Sequence, residues 1–152
     1  MEIIDELRNK KGFIAALDQS GGSSKRTLAN YGIGEELITS DEVMFDYIHK
    51  MRSRVITNEA FNDRILGVIL FENTMERDID GINTVKYLEN KGIPSFLKID
   101  VGLEDEDGGM QMLKEIPNLE KRLEKAKSYG IVGTKMRSVI KEYNEYGIKK
   151  VI

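Results

Sequence analysis

The sequence predicts an α/β protein made of parallel strand–helix units, about four of them. Three observations carry this reading. Four continuous apolar runs, at residues 12–18, 64–71, 95–100 and 131–136, have the length of strands and are bounded by turn residues. Segments with helical spacing separate these runs, and strands that alternate with helices build βαβ units around a parallel sheet. Each run also ends in charge: Asp18, Glu72, the pair Lys98 and Asp100, and the pair Lys135 and Arg137.

Taken in order, residues 1–10 read as a short helix. Gly12 and the cluster Gln-Ser-Gly-Gly-Ser-Ser (19–24) bound the first strand. A helix is expected from Ser24 to about Asn30, ended by Tyr31-Gly32. Ser40 is a candidate N-cap, with Asp41 and Glu42 in the first turn of a longer helix. Val43, Met44, Tyr47, Ile48, Met51 and Val55 give that helix its apolar spacing. The second strand is 64–71. Residues Asn83 to Asn90 read as a helix stopping at Lys91-Gly92, before the third strand at 95–100. An acidic loop follows at 104–109. Asn118 is expected to cap a helix running to Tyr129 and stopping at Gly130, and the fourth strand is 131–136. Ser138 is expected to cap a last helix to Tyr146-Gly147, after which Ile-Lys-Lys-Val-Ile starts another element.

Composition narrows the possibilities. A chain of 152 residues, 40% apolar and 32% charged, has the balance of a soluble globular protein and is expected to form a single domain, 1–152. Its net charge is −3 with both signs interspersed, so neither nucleic acid nor a membrane surface is the expected partner. There is no cysteine, hence no disulfide framework and no thiolate site. No apolar run approaches the ~18 residues of a membrane span. The N-terminal Met-Glu-Ile-Ile-Asp-Glu is acidic and lacks the apolar core of a signal peptide. A cytoplasmic location is the expectation.

The strand ends carry the candidate chemistry. Side chains two apart on a strand share a face, so Lys98 and Asp100 point one way, as do Lys135 and Arg137. A lysine in an apolar strand can be a desolvated, usable amine, or a structural ion pair whose stem lies along apolar surface. Asp18 closes an apolar strand before a Gly-rich turn, as an acid/base carboxylate or as a turn and capping residue. In 19–26, glycines, hydroxyls and a helix N-terminus suit phosphate, with Lys25 and Arg26 adding charge. The spacing there matches neither Gly-x-x-x-x-Gly-Lys-Ser/Thr nor Gly-x-Gly-x-x-Gly, and a capped loop is the alternative.

Glu72 reads as a strand end bonded to backbone more readily than as a site carboxylate. The acidic loop lacks the spacing of a calcium loop and reads as solvated. His49 is the only histidine, which excludes a zinc site built from two or three of them. What remains is a site expected to use no metal and no cofactor, in which lysine beside carboxylates suggests imine chemistry on a carbonyl and the turn suggests a sugar phosphate. Two architectures fit: a flavodoxin-like open sheet, and a TIM (β/α)8 barrel. A complete barrel takes about 250 residues, so four units make half of one.

Four segments then carry a family resemblance: Gly-Phe-Ile-Ala-Ala-Leu-Asp-Gln-Ser-Gly-Gly-Ser (12–23), Gly-Val-Ile-Leu-Phe-Glu-Asn-Thr (67–74), Phe-Leu-Lys-Ile-Asp-Val-Gly-Leu (96–103) and Gly-Thr-Lys-Met-Arg-Ser (133–138). In order and spacing they resemble class I fructose-bisphosphate aldolase, most of all its short bacterial form, over essentially the whole chain. The resemblance implies a (β/α)8 barrel, here its N-terminal half. It also implies a metal-independent enzyme of glycolysis that uses a lysine Schiff base. Such an enzyme cleaves fructose 1,6-bisphosphate to dihydroxyacetone phosphate and glyceraldehyde 3-phosphate. By motif position, Asp18 would assist proton transfer in carbon–carbon cleavage, and Lys135 would support cleavage and its intermediates with its charge. Ser20 and Ser23 would contact a substrate phosphate, Lys98 and Asp100 would lie by the substrate, and Arg137 would orient carboxylates and substrate.

Departures from animal forms are Gln19 for glutamate, Gly21 for threonine, Met136 for tryptophan, and Thr27 where those forms carry an arginine. The family's imine-forming lysine lies on a later strand, and its acid/base glutamate lies in a Glu-Pro-Glu segment. Both belong beyond residue 152. The expectation for these residues alone is therefore an inactive portion of the enzyme. It would homo-oligomerise, or pair with a C-terminal half, through the two open edges of its sheet. The competing reading is a non-enzymatic domain that binds sugar phosphate.

Overall fold

The computed structural model describes residues 2–20 and 22–151. Gly21 of the Gly-rich turn and the terminal Ile152 lie outside them. The elements are helix α1 (Glu2–Asn9), strand β1 (Phe13–Leu17), α2 (Gly22–Asn30), α3 (Asp41–Thr57), β2 (Ile65–Leu70), α4 (Glu72–Met75), β3 (Asp78–Ile79), β4 (Ile82–Asn83), α5 (Thr84–Asn90), β5 (Ser95–Lys98), β6 (Met110–Gln111), α6 (Leu119–Tyr129), β7 (Gly133–Lys135), β8 (Val139–Ile140) and α7 (Glu145–Val151). All four predicted strands and the helices expected near 1–10, 24–30, 41–57, 83–90 and 118–129 are present. Helix α2 starts before Ser24, and Ser40 caps α3 by accepting from the Val43 amide.

The four principal strands form one sheet, in the order β1-β2-β5-β7, with every pair parallel. That order decides between the two architectures. A doubly wound sheet reverses its strand order at a switch point. Here each strand lies beside its predecessor, so the units wind in one direction, as they do in a (β/α)8 barrel.

Register sorts the side chains. Ala16, Ile69, Phe96 and Gly133 align across the sheet, and the next inward level holds Lys98 opposite Lys135. The other face carries Val68, Leu70 and Leu97, each exposed by 1% or less, and packs on the helices. That layer, with Ile56, Met75, Val85, Leu88 and Ala126, is the main core. Gly67 and Gly133 make room for the Phe96 ring. A Cβ on Gly67 would sit 2.8 Å from Phe96 Cε2, and one on Gly133 would sit 3.0 Å from the same ring.

The C-terminal segment corrects the expectation. No helix starts at Ser138. Val139 and Ile140 form β8 and pair antiparallel with Met110 and Gln111 of β6, because two β-branched residues fit a strand better than a helix. The helix begins after Asn144, whose Oδ1 accepts from the Gly147 amide at 2.5 Å. The final Ile-Lys-Lys-Val belongs to that same helix, α7, rather than to a new element. Asn118 precedes α6 as expected but adopts a left-handed conformation (φ 52°) and makes no side-chain cap. The short helix α4 and the β3–β4 hairpin were not anticipated, being too short to show a period.

Candidate active site

A cleft of about 960 Å³ opens at the C-terminal ends of the sheet strands. All seven residues to which the family resemblance gives a role line it: Asp18, Ser20, Ser23, Lys98, Asp100, Lys135 and Arg137. Glu72 and Arg122 join them. Asp18, Glu72, Lys98, Asp100, Lys135 and Arg137 arrive by the same device, an apolar strand that delivers a polar residue to the rim as it leaves the core, whereas Ser23 lies on α2 and Arg122 on α6.

Lys98 is held on three sides. Its Nζ lies 3.1 Å from Asp100 Oδ2, donates to the Asp100 carbonyl at 2.9 Å and reaches Ser20 Oγ at 3.4 Å. These account for all three ammonium hydrogens. The Lys98 and Asp100 side chains are 15% and 8% exposed, so the pair is largely desolvated and short range. Asp100 Oδ1 is buried and receives no donor from the protein. A carboxylate oxygen in that state is an acceptor open to a hydroxyl.

Lys135 Nζ donates to Asp18 Oδ2 at 2.9 Å. Both lysines are thus ion-paired rather than isolated amines. Arg137 lines the cleft, is exposed, and makes no ion pair among the described residues. The Ser23 hydroxyl donates to the Ser20 carbonyl at 3.1 Å, within the turn. Lys25 and Arg26 do not line the cleft, so the basic pair expected to assist the turn faces elsewhere.

Glu72 makes no backbone hydrogen bond of the kind expected from its strand-end position. It heads α4, where its carboxylate meets Arg122 Nη2 at 3.3 Å and Lys125 Nζ at 3.5 Å. Lys125 also pairs with Glu76, and these carboxylates raise its pKa, through the Glu76 hydrogen bond first. Arg122 Nη1 donates to the Ile99 carbonyl at 2.8 Å, which ties α6 to the end of β5. Sequence reasoning missed Arg122 because α6 is crowded with basic residues of equal appearance.

It also missed Arg52. That residue occupies the buried stripe Met44, Ile48, Arg52, Ile56 of α3, and a charge at that spacing was the available signal. Burial pushes its pKa down to about 10, against the upward pull of Asp18.

His49 sits on α3 with Nε2 2.8 Å from the Asp78 carbonyl oxygen, outside the cleft. The acidic loop is not simply solvated. Glu106 pairs with Lys141, and Asp107 with Lys150 at 2.6 Å. Among the described residues no group of three or more His, Asp or Glu is disposed to hold a metal ion, and no helix is long and apolar enough to cross a membrane.

A model of the family described as fructose-bisphosphate aldolase class-I matches residues 3–150. The chain belongs to the class I fructose-bisphosphate aldolase family. Among solved structures, it is similar to the fructose-bisphosphate aldolase of Plasmodium falciparum, determined in complex with TRAP and a small molecule inhibitor. The TM-score is 0.70 at 22% identity, over 90% of this chain and 40% of that one. At that identity the likeness is one of fold. The chain spans less than half the length of the aldolase it matches, and its sheet corresponds to part of that barrel.

Proposed function

We propose that the cleft is the N-terminal share of a class I aldolase site, which binds a sugar bisphosphate and serves metal-independent cleavage of fructose 1,6-bisphosphate. One observation carries this: seven residues chosen by motif from the ends of three separate strands line a single cleft. Asp18 assists proton transfer, held by Lys135. Lys135 supplies positive charge to the carbon–carbon cleavage step. Ser20 and Ser23 meet a phosphate at the turn, Arg137 is available to an anionic substrate, and Lys98 with Asp100 lines the sugar. The vacant acceptor capacity of Asp100 Oδ1 suits a substrate hydroxyl.

In this reading the enzyme acts in glycolysis in the cytoplasm. The 152 residues alone bind ligand but do not turn it over, since the imine-forming lysine and the acid/base glutamate of the family belong to later segments. The edges of β1 and β7 are unpaired among the described residues, and exposed strand edges seek partners. Phe13 and Ile14 on one edge, and Val132 and Met136 at the other, are 43–58% exposed. Pairing with further barrel strands, from a second copy or from a C-terminal half, would cover them.

Calorimetric titration of this chain with fructose 1,6-bisphosphate, with fructose as control, tests the binding claim. Saturable binding of the bisphosphate alone is expected, and equal indifference to both refutes it. Borohydride trapping with dihydroxyacetone phosphate tests the catalytic claim. No adduct is expected here while a full-length aldolase labels in parallel; an adduct on Lys98 or Lys135 would show that this chain forms its own imine. Ultracentrifugation tests the edges, where a stable monomer contradicts the pairing.

A further inference from the structure

Arg52 is the only charged residue among the described ones that is fully buried, at 0% exposure. A stripe position shared with Met44, Ile48 and Ile56 would be filled at less cost by an apolar side chain, because burying an arginine is unfavourable unless its donors are used. Here both terminal nitrogens are used toward the site, while Nε is buried without a partner among the described residues. Nη1 donates to Thr74 Oγ1 at 2.6 Å, just beyond the end of β2. Nη2 donates to the Gln19 carbonyl at 2.6 Å and to Gln19 Oε1 at 3.4 Å. Gln19 stands between Asp18 and Ser20, and Asp18 is the charge that acts on the guanidinium. Arg52 does not itself line the cleft.

We propose that Arg52 is a positioning residue for the site. From beneath, it clamps the turn after β1 to the segment after β2, so that Asp18 and Ser20 face the cleft in a fixed register with Lys98 and Lys135. The inference rests on the sugar-phosphate reading above for its ligand and on the hydrogen bonds of Arg52 for its geometry. A clamp of this kind needs a cation with donors for both segments. Methionine keeps the volume and loses the clamp, whereas lysine keeps a charge that burial makes easy to lose.

The test uses R52M and R52K in the full 152-residue chain, with fructose 1,6-bisphosphate as probe. Affinity is read by calorimetry, amide hydrogen exchange by NMR, and folding by urea melts. R52M is expected to fold, to bind at least tenfold more weakly, and to exchange the Gln19 and Ser20 amides at least tenfold faster, with Ile48 and Ile56 unchanged. R52K is expected to restore affinity at pH 6 and to lose it relative to the parent by pH 9, as a buried lysine gives up its proton. If R52M does not fold, that pH profile decides alone.

Parent-like affinity in R52M, or an R52K profile parallel to the parent's, overturns the proposal. Should the parent fail to bind the bisphosphate, the sugar-phosphate reading falls. Exchange then still decides on Arg52: unchanged rates at Gln19 and Ser20 in R52M refute the clamp.

Discussion

Asp18 and Lys135 stand at the ends of opposite edge strands of the sheet, yet they share a hydrogen bond of 2.9 Å. Three strand spacings separate those edges, about 14 Å along a flat sheet. The bond therefore spans a sheet curled toward the cleft, the curvature that a barrel requires. Its two side chains are 12% and 31% exposed, which removes much of the screening that makes surface pairs weak.

Asp18→Asn, Lys135→Met and the double variant form a thermodynamic cycle for this tie. A coupling of about 1 kcal/mol is expected from urea melts. Additive single effects would mean that the curl is held by the strands alone.

Lys98→Met removes the only ion-pair partner of Asp100 among the described residues, and the other carboxylate oxygen already lacks a donor there. Leaving a buried carboxylate unpaired costs about 3 kcal/mol. Adding Asp100→Asn should recover most of that loss, since the charge itself is then gone. Equal midpoints for the single and double variants in urea would refute the pairing.

Gly67→Ala places a Cβ 2.8 Å from Phe96 Cε2 and 3.3 Å from the Pro94 carbonyl oxygen. Overpacking of this kind costs about 2 kcal/mol. A smaller ring-free residue, Phe96→Leu, should return part of it in the double variant. A thermal midpoint unchanged by Gly67→Ala would show that the ring moves freely.

Arg52 has a stability that depends on pH with a definite sign. Its pKa is about 10 when folded, below its ordinary value, so the buried charge costs roughly 3 kcal/mol at neutral pH. Below pH 10 both states hold the proton and the cost is fully present. Between pH 10 and the ordinary arginine value the unfolded state holds more protons, so this residue's contribution to stability rises with pH. At pH 7, R52M gives up hydrogen bonds but escapes the burial cost, and its unfolding free energy in urea should lie within about 1 kcal/mol of the parent. A loss of several kcal/mol would make Arg52 a net stabiliser instead.

Much of the site was legible before any coordinates. Strand ends announce themselves because an apolar run must stop where polar groups regain water, and Lys98, Asp100, Lys135 and Arg137 stand at such stops. Asp18 and the serines of the turn were legible for the same reason. Glu72 was legible as a position but not as a partner, because Arg122 and Lys125 lie on α6, about fifty residues later in the chain. Ser138 misled because its local capping signal was genuine in kind, while the pairing of Val139 and Ile140 with β6 is a distant contact.

By itself, the sequence determined the alternation of strands and helices, the apolar layers, the polar rim and the family, since each rests on local period or on motif. Only the tertiary structure decided the strand order, the curl that joins Asp18 to Lys135, the triple hold on Lys98 and the burial of Arg52. Those depend on which distant segments meet, and a contact across the sheet leaves no period in the chain to be read.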